Sequence, residues 1–279
     1  MKRNIIRSIL AVAMTSAFLL QSCGKMEPST YTETFFRIAT VQYNDGKASL
    51  LMDYSGETYF FTNFSTSADM EQFDVKSGDR VIASMTLSAI GYMTFNQLTL
   101  NEIYKFPILP LAESRPSDSI FNYRYQLKQY ALNLNSYDTR ITYPTAWAQG
   151  HLVNMTPKYD ISSDKVNAQF YLYPIEVKNK TLVMRLYSNI PDTLPAYYYD
   201  QSLVCYDLST LRNTVADSTE QAHRDSILYQ LEALNMDTID VQICEPEIMR
   251  DIWLTTDGIE ERKYYNPRAS ATVKVPFDF

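Results

Sequence analysis

TFFRIATVQYNDGKASLLMDY, residues 34–54, sets the fold class. Aromatic and β-branched residues crowd residues 34–44, which suits a pleated, half-buried surface. Asn44-Asp45-Gly46 interrupts them, and Asp-Gly supplies the backbone of a tight hairpin turn. The pattern predicts one strand over 34–44 and a second over 48–54. Ser55-Gly56 then leads into TYFFTNF (58–64). In FDVKSGDRVIASMTL (73–87), the turn Ser77-Gly78-Asp79 launches a strand from Arg80 to Leu87. NQLTLNEIYKFPIL (96–109) closes the set with Leu98, Leu100 and Ile103 apolar. Five short strands predict a small, partly open OB-like β-barrel over 34–112.

The segment AESRPSDS (112–119) has no apolar period and reads as a linker. Beyond it, residues 120–279 hold many short strand patterns at turn-bounded spacing, which predicts a β-sandwich. In YRYQLKQYALNLN (123–135) the alternation changes parity near Lys128-Gln129, as a bulge or bend would require. NAQFYLYPIEV (167–177) and KTLVMRLYSN (180–189) read as a hairpin. Further strands are expected in 201–209, 237–245, 250–256 and 270–278. One helix is expected at 217–235, with Ile227, Leu228, Leu231 and Leu234 on one face and Asp217 or Ser218 as its cap. The expected fold is therefore mainly β: an OB-like five-stranded barrel followed by a β-sandwich with one inserted helix.

The amino terminus gives an address. Lys2, Arg3 and Arg7 precede an uncharged run from Ser8 to Leu20. As a helix that run is about 20 Å long, short of a bilayer core of about 30 Å. Residues 1–22 thus read as an export signal. Leu20-Gln21-Ser22-Cys23 resembles the lipobox of bacterial lipoproteins, which implies a lipid-modified Cys23 as mature amino terminus, a tether over 23–33 and a lipid-anchored place in the cell envelope, at the outer membrane. More than one acyl chain makes such an anchor durable. Removal of residues 1–22 leaves 22 basic against 32 acidic residues, a net charge of −10. Residues 31–114 hold five basic and ten acidic residues. That balance removes the electrostatic term on which nucleic-acid affinity depends. VKSGDRV (75–81) resembles the entry into a strand of many OB domains, yet nucleic acid is not an expected partner.

Candidate chemistry is sparse. The chain has two histidines, His151 and His223, neither with a cysteine or histidine at ligand spacing, so no metal and no cofactor is expected. Ser162 and Lys165 have the S-x-x-K spacing, but no K-T-G element accompanies them and the stretch reads as a polar turn. The carboxylate pairs Glu245/Glu247, Asp237/Asp240 and Glu260/Glu261 read as solvated turns rather than an acid–base pair. With Cys23 acylated, Cys205 and Cys244 remain, as a disulfide or as two buried thiols. Tyrosine is abundant, with 22 in the chain, and clusters at Tyr197, Tyr198 and Tyr199 and again at Tyr264 and Tyr265. Those rings are candidate ligand contacts, by stacking on sugars, or simply strand residues.

The layout of lipobox, OB-like barrel, larger C-terminal sandwich and a GHLVNM strand at 150–155 resembles the NigD-like lipoproteins. That resemblance implies a non-catalytic, bacteriocin-immunity-like role with a protein partner. A glycan-binding accessory lipoprotein is the alternative, and a hydrolase a third. The partner, protein or glycan, is not named by the sequence.

Overall fold

The computed structural model describes residues 30–90, 96–116, 125–127, 129–132, 141–161, 168–189, 198–244, 248–255, 258–265 and 271–279. The signal segment, Cys23 and the tether up to residue 29 lie outside the described residues, as do Tyr197, Ser162, Lys165, Glu245 and Glu247.

The first strands are β1 (Thr30–Asn44), β2 (Lys47–Met52), β3 (Thr58–Tyr59), β4 (Arg80–Ile90) and β5 (Asn96–Phe106). They form one antiparallel sheet in the order β3-β2-β1-β4-β5. β1 starts at Thr30, within the stretch read as tether, and pairs there with Ile90. Its far end turns at Asp45 and Gly46, with φ of 52° and 76°, the positive values the Asp-Gly turn requires. Side chains alternate. Phe35, Ala39 and Val41 join Ala48, Leu50, Met52, Val81, Ala83, Met85 and Leu100 in one core.

The expected barrel is not closed by strand pairing, because β3 is only two residues long. Instead the chain after β3 reaches β5 by other means. The Thr62 N–H donates to the Leu98 carbonyl at 3.0 Å. The Asn63 carboxamide donates to the Leu100 carbonyl at 2.8 Å and accepts from its N–H at 2.9 Å. One side chain thereby makes the pair of bonds a strand residue would make. A short helix, α1 (Ser67–Gln72), follows and plugs the core with Met70. Its first turn carries a reciprocal capping box between Thr66 and Asp69.

After Pro107 the chain leaves this sheet. β6 (Ile108–Pro110) runs parallel to β16 (Val204–Asp207) in a sheet ordered β10-β11-β16-β6, with β10 (Ala146–Gln149) and β11 (Leu152–Met155). A second sheet is β15-β12-β7, built from β7 (Tyr125–Leu127), β12 (Pro157–Ile161) and β15 (Tyr198–Gln201). A third is β13-β14-β17-β20, from β13 (Phe170–Lys178), β14 (Thr181–Ser188), β17 (Thr238–Cys244) and β20 (Ala271–Pro276). β8 (Tyr130–Leu132) pairs with β9 (Ile141–Tyr143), and β18 (Ile248–Thr255) with β19 (Gly258–Tyr265). The β13–β14 hairpin turns at Asn179-Lys180. Its ladder skips Ile175, directly after Pro174, which has no N–H to contribute.

Val153, Met155 and Tyr206 of one sheet meet Leu172, Leu182, Met184, Leu186, Ile239, Val241 and Val275 of another in the main C-terminal core. The inserted helix α2 (Ser218–Ala233) adds Ile227 and Leu231 to it. Asp217 caps α2 by accepting from the Thr219 and Glu220 N–H groups. The fold is mainly β and sandwich-like, and no helix among the described residues is long and apolar enough to cross a membrane.

Candidate functional site

The even-numbered residues of β1 and β4 point away from the N-terminal core, yet Ile38 and Arg80 among them do not face water. Ile38 is fully buried and Arg80 is 1% exposed. Phe36, Ile38, Ile82 and Phe106 form a third apolar cluster with Leu132, Tyr143 and Trp147 of the C-terminal portion. Here the two portions meet, and the Tyr143 hydroxyl accepts from the Ile38 N–H at 3.0 Å. The Tyr143 and Trp147 rings lie 5.0 Å apart.

Strand register explains what the C-terminal portion brings. Trp147 stands opposite Asn154, Asn154 opposite Cys205, and Cys205 beside Ile108. These four share one rung across the four-stranded sheet, so their side chains share one face. That row meets a buried ion pair. Arg80 donates from Nη1 to Asp53 Oδ1 at 2.6 Å and from Nη2 to Asp53 Oδ2. Arg80 also donates to the Thr40 hydroxyl at 2.7 Å and to Asn154 Oδ1 at 3.0 Å. The Trp147 indole N–H donates to Asp53 Oδ2 at 2.6 Å. Burial opposes the Arg80 charge, but the Asp53 carboxylate outweighs burial and holds the guanidinium above its ordinary pKa. Both charges are fully withdrawn from solvent.

Asp53 is aimed inward by its backbone. Its N–H donates to the Ile38 carbonyl at 3.0 Å, and Tyr54 follows in the left-handed region at φ 69°. That conformation costs a residue with a Cβ about 1–2 kcal/mol. The Tyr54 ring is 81% exposed, so burial of the ring does not offset the strain.

Outside this knot lies a groove of about 510 Å³, bounded by Lys76, Asp79, Arg80, Lys105, Phe106 and Ile108. The Lys76–Asp79 turn is pinned to β1, since Gly78 N–H donates to the Val41 carbonyl and Val41 N–H to the Asp79 carbonyl, both at 2.9 Å. Gly78 holds φ 93°, which only glycine adopts readily. The Asp79 carboxylate folds back on the turn and accepts the Lys76 N–H at 2.9 Å. Lys105 pairs with Asp74 at 2.7 Å, and that ammonium holds the exposed Asp74 carboxyl below its usual pKa.

Other polar residues serve as ties. His151 Nε2 lies 3.6 Å from Asp207 Oδ1, which also accepts the Ser209 hydroxyl at 2.6 Å. The carboxylate stands between histidine and serine, so the histidine is not placed to take the serine proton. His223 stacks on Tyr173 with 5.7 Å between ring centroids and contacts the Pro174 carbonyl at 3.0 Å. Burial, then a hydrogen bond to Glu220, pushes the Tyr173 phenol well above its ordinary pKa. Arg224 of α2 is buried, and burial lowers its pKa; it donates to the Thr210 and Ala112 carbonyls at 2.9 and 2.7 Å. With the Arg115 N–H on Glu220 at 3.0 Å, the start of the stretch read as linker is held against the helix. Among the described residues no three His, Cys, Asp or Glu side chains are grouped to hold a metal ion.

The sequence-predicted residues fare unevenly. The Cys205–Cys244 bridge is not formed: Cys205 is a buried free thiol in β16, and Cys244 lies in β17 of another sheet. Burial pushes the Cys205 thiol up to about 11. The backbones of Tyr198 and Tyr199 belong to β15, and those of Tyr264 and Tyr265 to β19, in sheets that share no ladder. Glu260 and Glu261 stand in β19 rather than in a turn. Sequence reasoning missed Asp53, Arg80, Trp147 and Asn154 as a group. The one local hint was that Asp53 directly follows the apolar run Leu50–Met52 and Arg80 directly precedes the apolar run Val81–Ala83.

No protein-family profile and no curated protein matches the chain. Similar solved structures include a protein of Parabacteroides distasonis described as toxin-related, at 15% identity and a TM-score of 0.44 over 85% of this chain and 96% of that one. Another is a protein of Bacteroides fragilis described as a lipoprotein, at 10% identity and 0.45 over 88% and 100%. A third is a NigD-like immunity protein of Bacteroides caccae, at 12% identity and 0.38 over 84% and 97%.

Proposed function

We propose that this chain is a lipid-anchored protein of the cell envelope whose work is to engage a protein partner, without catalysis. Immunity against a secreted toxin is one form of that work. The observation that carries the reading is how the polar side chains are spent. Asp53, Arg80, Asp207, His223 and Arg224 each hold strands, turns or helix together, while the groove beside the junction stays open. An interaction module needs such a rigid frame with a preformed recess, because prior ordering lowers the cost of binding. The lipobox at Cys23 supplies the anchor in this reading.

The test uses the full chain in its native envelope. Wild-type protein is expected in the membrane fraction, and Cys23→Ser in the soluble fraction with an unchanged melting temperature. Photo-crosslinkers at Lys76 and Ile108 are expected to trap a discrete protein adduct. A Cys23→Ser protein that stays with the membrane, or a wild-type protein that yields no adduct from any exposed position, contradicts the proposal.

A further inference from the structure

We propose that the Thr30 end of the N-terminal sheet stands on the surface of the lipid bilayer, with the Asp45-Gly46 turn and the groove beside Lys76 pointing away from it. Two rungs of one face make the contact: Thr32, Ser88 and Gln97, then Thr34, Thr86 and Thr99. Their hydroxyl and carboxamide groups meet the phosphate and ester oxygens of the lipid headgroups. This deepens the proposed function and rests on its lipid anchor at Cys23.

Reach fixes which end lies near the membrane. β1 begins at Thr30 and pairs there with Ile90, so the lipid-bearing tether joins the sheet at that end. From Cys23 to Thr30 the chain spans at most about 25 Å. From Thr30 to Asn44 it runs about 48 Å along the strand at about 3.4 Å per residue. The anchor therefore holds the Thr30 end close, and the sheet either stands on that end or lies flat. Charge selects standing. Residues 81–101 carry no charged side chain in a chain that is 20% charged, so the β4–β5 hairpin meets lipid without stripping water from an ion. Among residues 30–34, 86–90 and 96–99 the one charged residue is Glu33, which alternates to the other face. The far end is the reverse. Asp45 and Lys47 flank its turn, Asp79 is bonded to Val41, and α1 with Asp69 and Glu71 follows Ser65, whose carbonyl accepts the Ala48 N–H at 2.9 Å. Lying flat would press these ions into the headgroups; standing keeps them beyond a screening length of about 8 Å.

The face itself suits headgroups. The β4–β5 ladder pairs Ser84 with Glu102 and Met85 with Leu100, so Asn101 is an extra residue, and it turns onto the two rungs. Its carboxamide donates to the Thr86 hydroxyl at 2.9 Å, and the Thr34 and Thr86 hydroxyls lie 2.9 Å apart. A hydroxyl has one donor and two acceptor sites, so a bond to one neighbour leaves capacity for lipid. Thr32, Thr34 and Gln97 are exposed. The six residues include no Trp, Tyr, Arg or large aliphatic side chain, the anchors on which a protein partner or a second copy would depend. A partner is met at the far end, where the groove opens to water.

The test places a fluorescent non-canonical amino acid at Thr32, Gln97, Asp45 or Ser77 of the full-length lipidated protein, one position at a time. The protein is reconstituted in phosphatidylcholine–phosphatidylethanolamine vesicles that carry a headgroup spin-labelled lipid as quencher. Quenching at Thr32 and Gln97 is expected to exceed that at Asp45 and Ser77 by about threefold or more, because contact quenching fades within about one screening length of the headgroups. With phosphatidylglycerol added to the vesicles, Thr32→Glu, on the rung of Gln97, is expected to lower quenching at Gln97 by about twofold at low ionic strength, and added salt to restore it. Three outcomes overturn the orientation: equal quenching at both ends, stronger quenching at Asp45 or Ser77, or a Gln97 signal that ignores Thr32→Glu. A signal that grows with protein density at fixed quencher density marks contact between copies and overturns it too. If the protein floats with the vesicles and the pattern fails, the orientation falls while the lipid anchor stands. If it does not float, the anchor itself falls.

Discussion

The N-terminal sheet has two faces that solve opposite problems. Its inner face packs Val41, Leu50, Val81 and Met85 into an apolar core, where affinity for the interior is non-directional. Its outer face places Asp53 and Arg80 against Trp147 and Asn154, where each contact demands one geometry. An apolar core tolerates a change of shape as long as volume is kept. A buried ion pair tolerates no missing partner. Replacing such a pair with hydrophobic residues is often neutral, so the value predicted for it here is registration of one β portion on the other rather than raw stability.

The largest expected effect breaks the outer face alone. Asp53→Leu leaves Arg80 buried and uncompensated, with a predicted loss of about 3–5 kcal/mol in denaturant unfolding. Adding Arg80→Met to that variant is predicted to recover most of the loss. If the second change made matters worse instead, the pair would be a net source of stability and the contrast between the two faces would fail. Next comes Trp147→Phe, which keeps the ring on Tyr143 but removes a donor to a carboxylate, at about 1.5–3 kcal/mol.

A smaller effect is carried by pH. Burial raises the Cys205 thiol from 9.0 to about 11, so the folded chain keeps this proton when the unfolded chain has lost it. Its contribution is fully present below pH 9 and fades as pH rises from 9 to about 11. Alkaline unfolding of Cys205→Ala should therefore show a shallower slope than wild type. The smallest effect has the opposite sign: Tyr54→Gly should stabilise by about 1 kcal/mol by relieving the left-handed strain beside Asp53, read as a raised denaturation midpoint.

The same contrast explains what the sequence reveals. The mainly β class, the turn at Asp45-Gly46, the hairpin of β13 and β14 and the helix Ser218–Ala233 are local patterns, and local patterns are legible. The strand read over 58–64 shrinks to the two residues of β3, and α1 was not read, although Thr66 and Asp69 have the spacing of a capping box that marks a helix start. The seam closed by Asn63 was invisible, because a side chain standing in for a strand leaves no periodic trace. Asp53 and Trp147 are 94 positions apart, and Arg80 and Asn154 are 74 apart. Nothing in either neighbourhood names the other. The same distance defeats any pairing guess for Cys205, whose companion on the rung is Asn154 rather than Cys244. The groove was half legible: Lys76 to Arg80 read as a turn and strand entry, but its second wall depends on where β6 crosses to the other sheet.

The central claim is that a charged knot across the junction fastens the two β portions to each other. A double-mutant cycle of Asp53→Asn and Trp147→Phe, followed by denaturant unfolding, tests it most directly. The two residues come from opposite sides of the junction and share one hydrogen bond of 2.6 Å. Coupling of about 1 kcal/mol or more is the predicted result; effects that add within about 0.3 kcal/mol would contradict it.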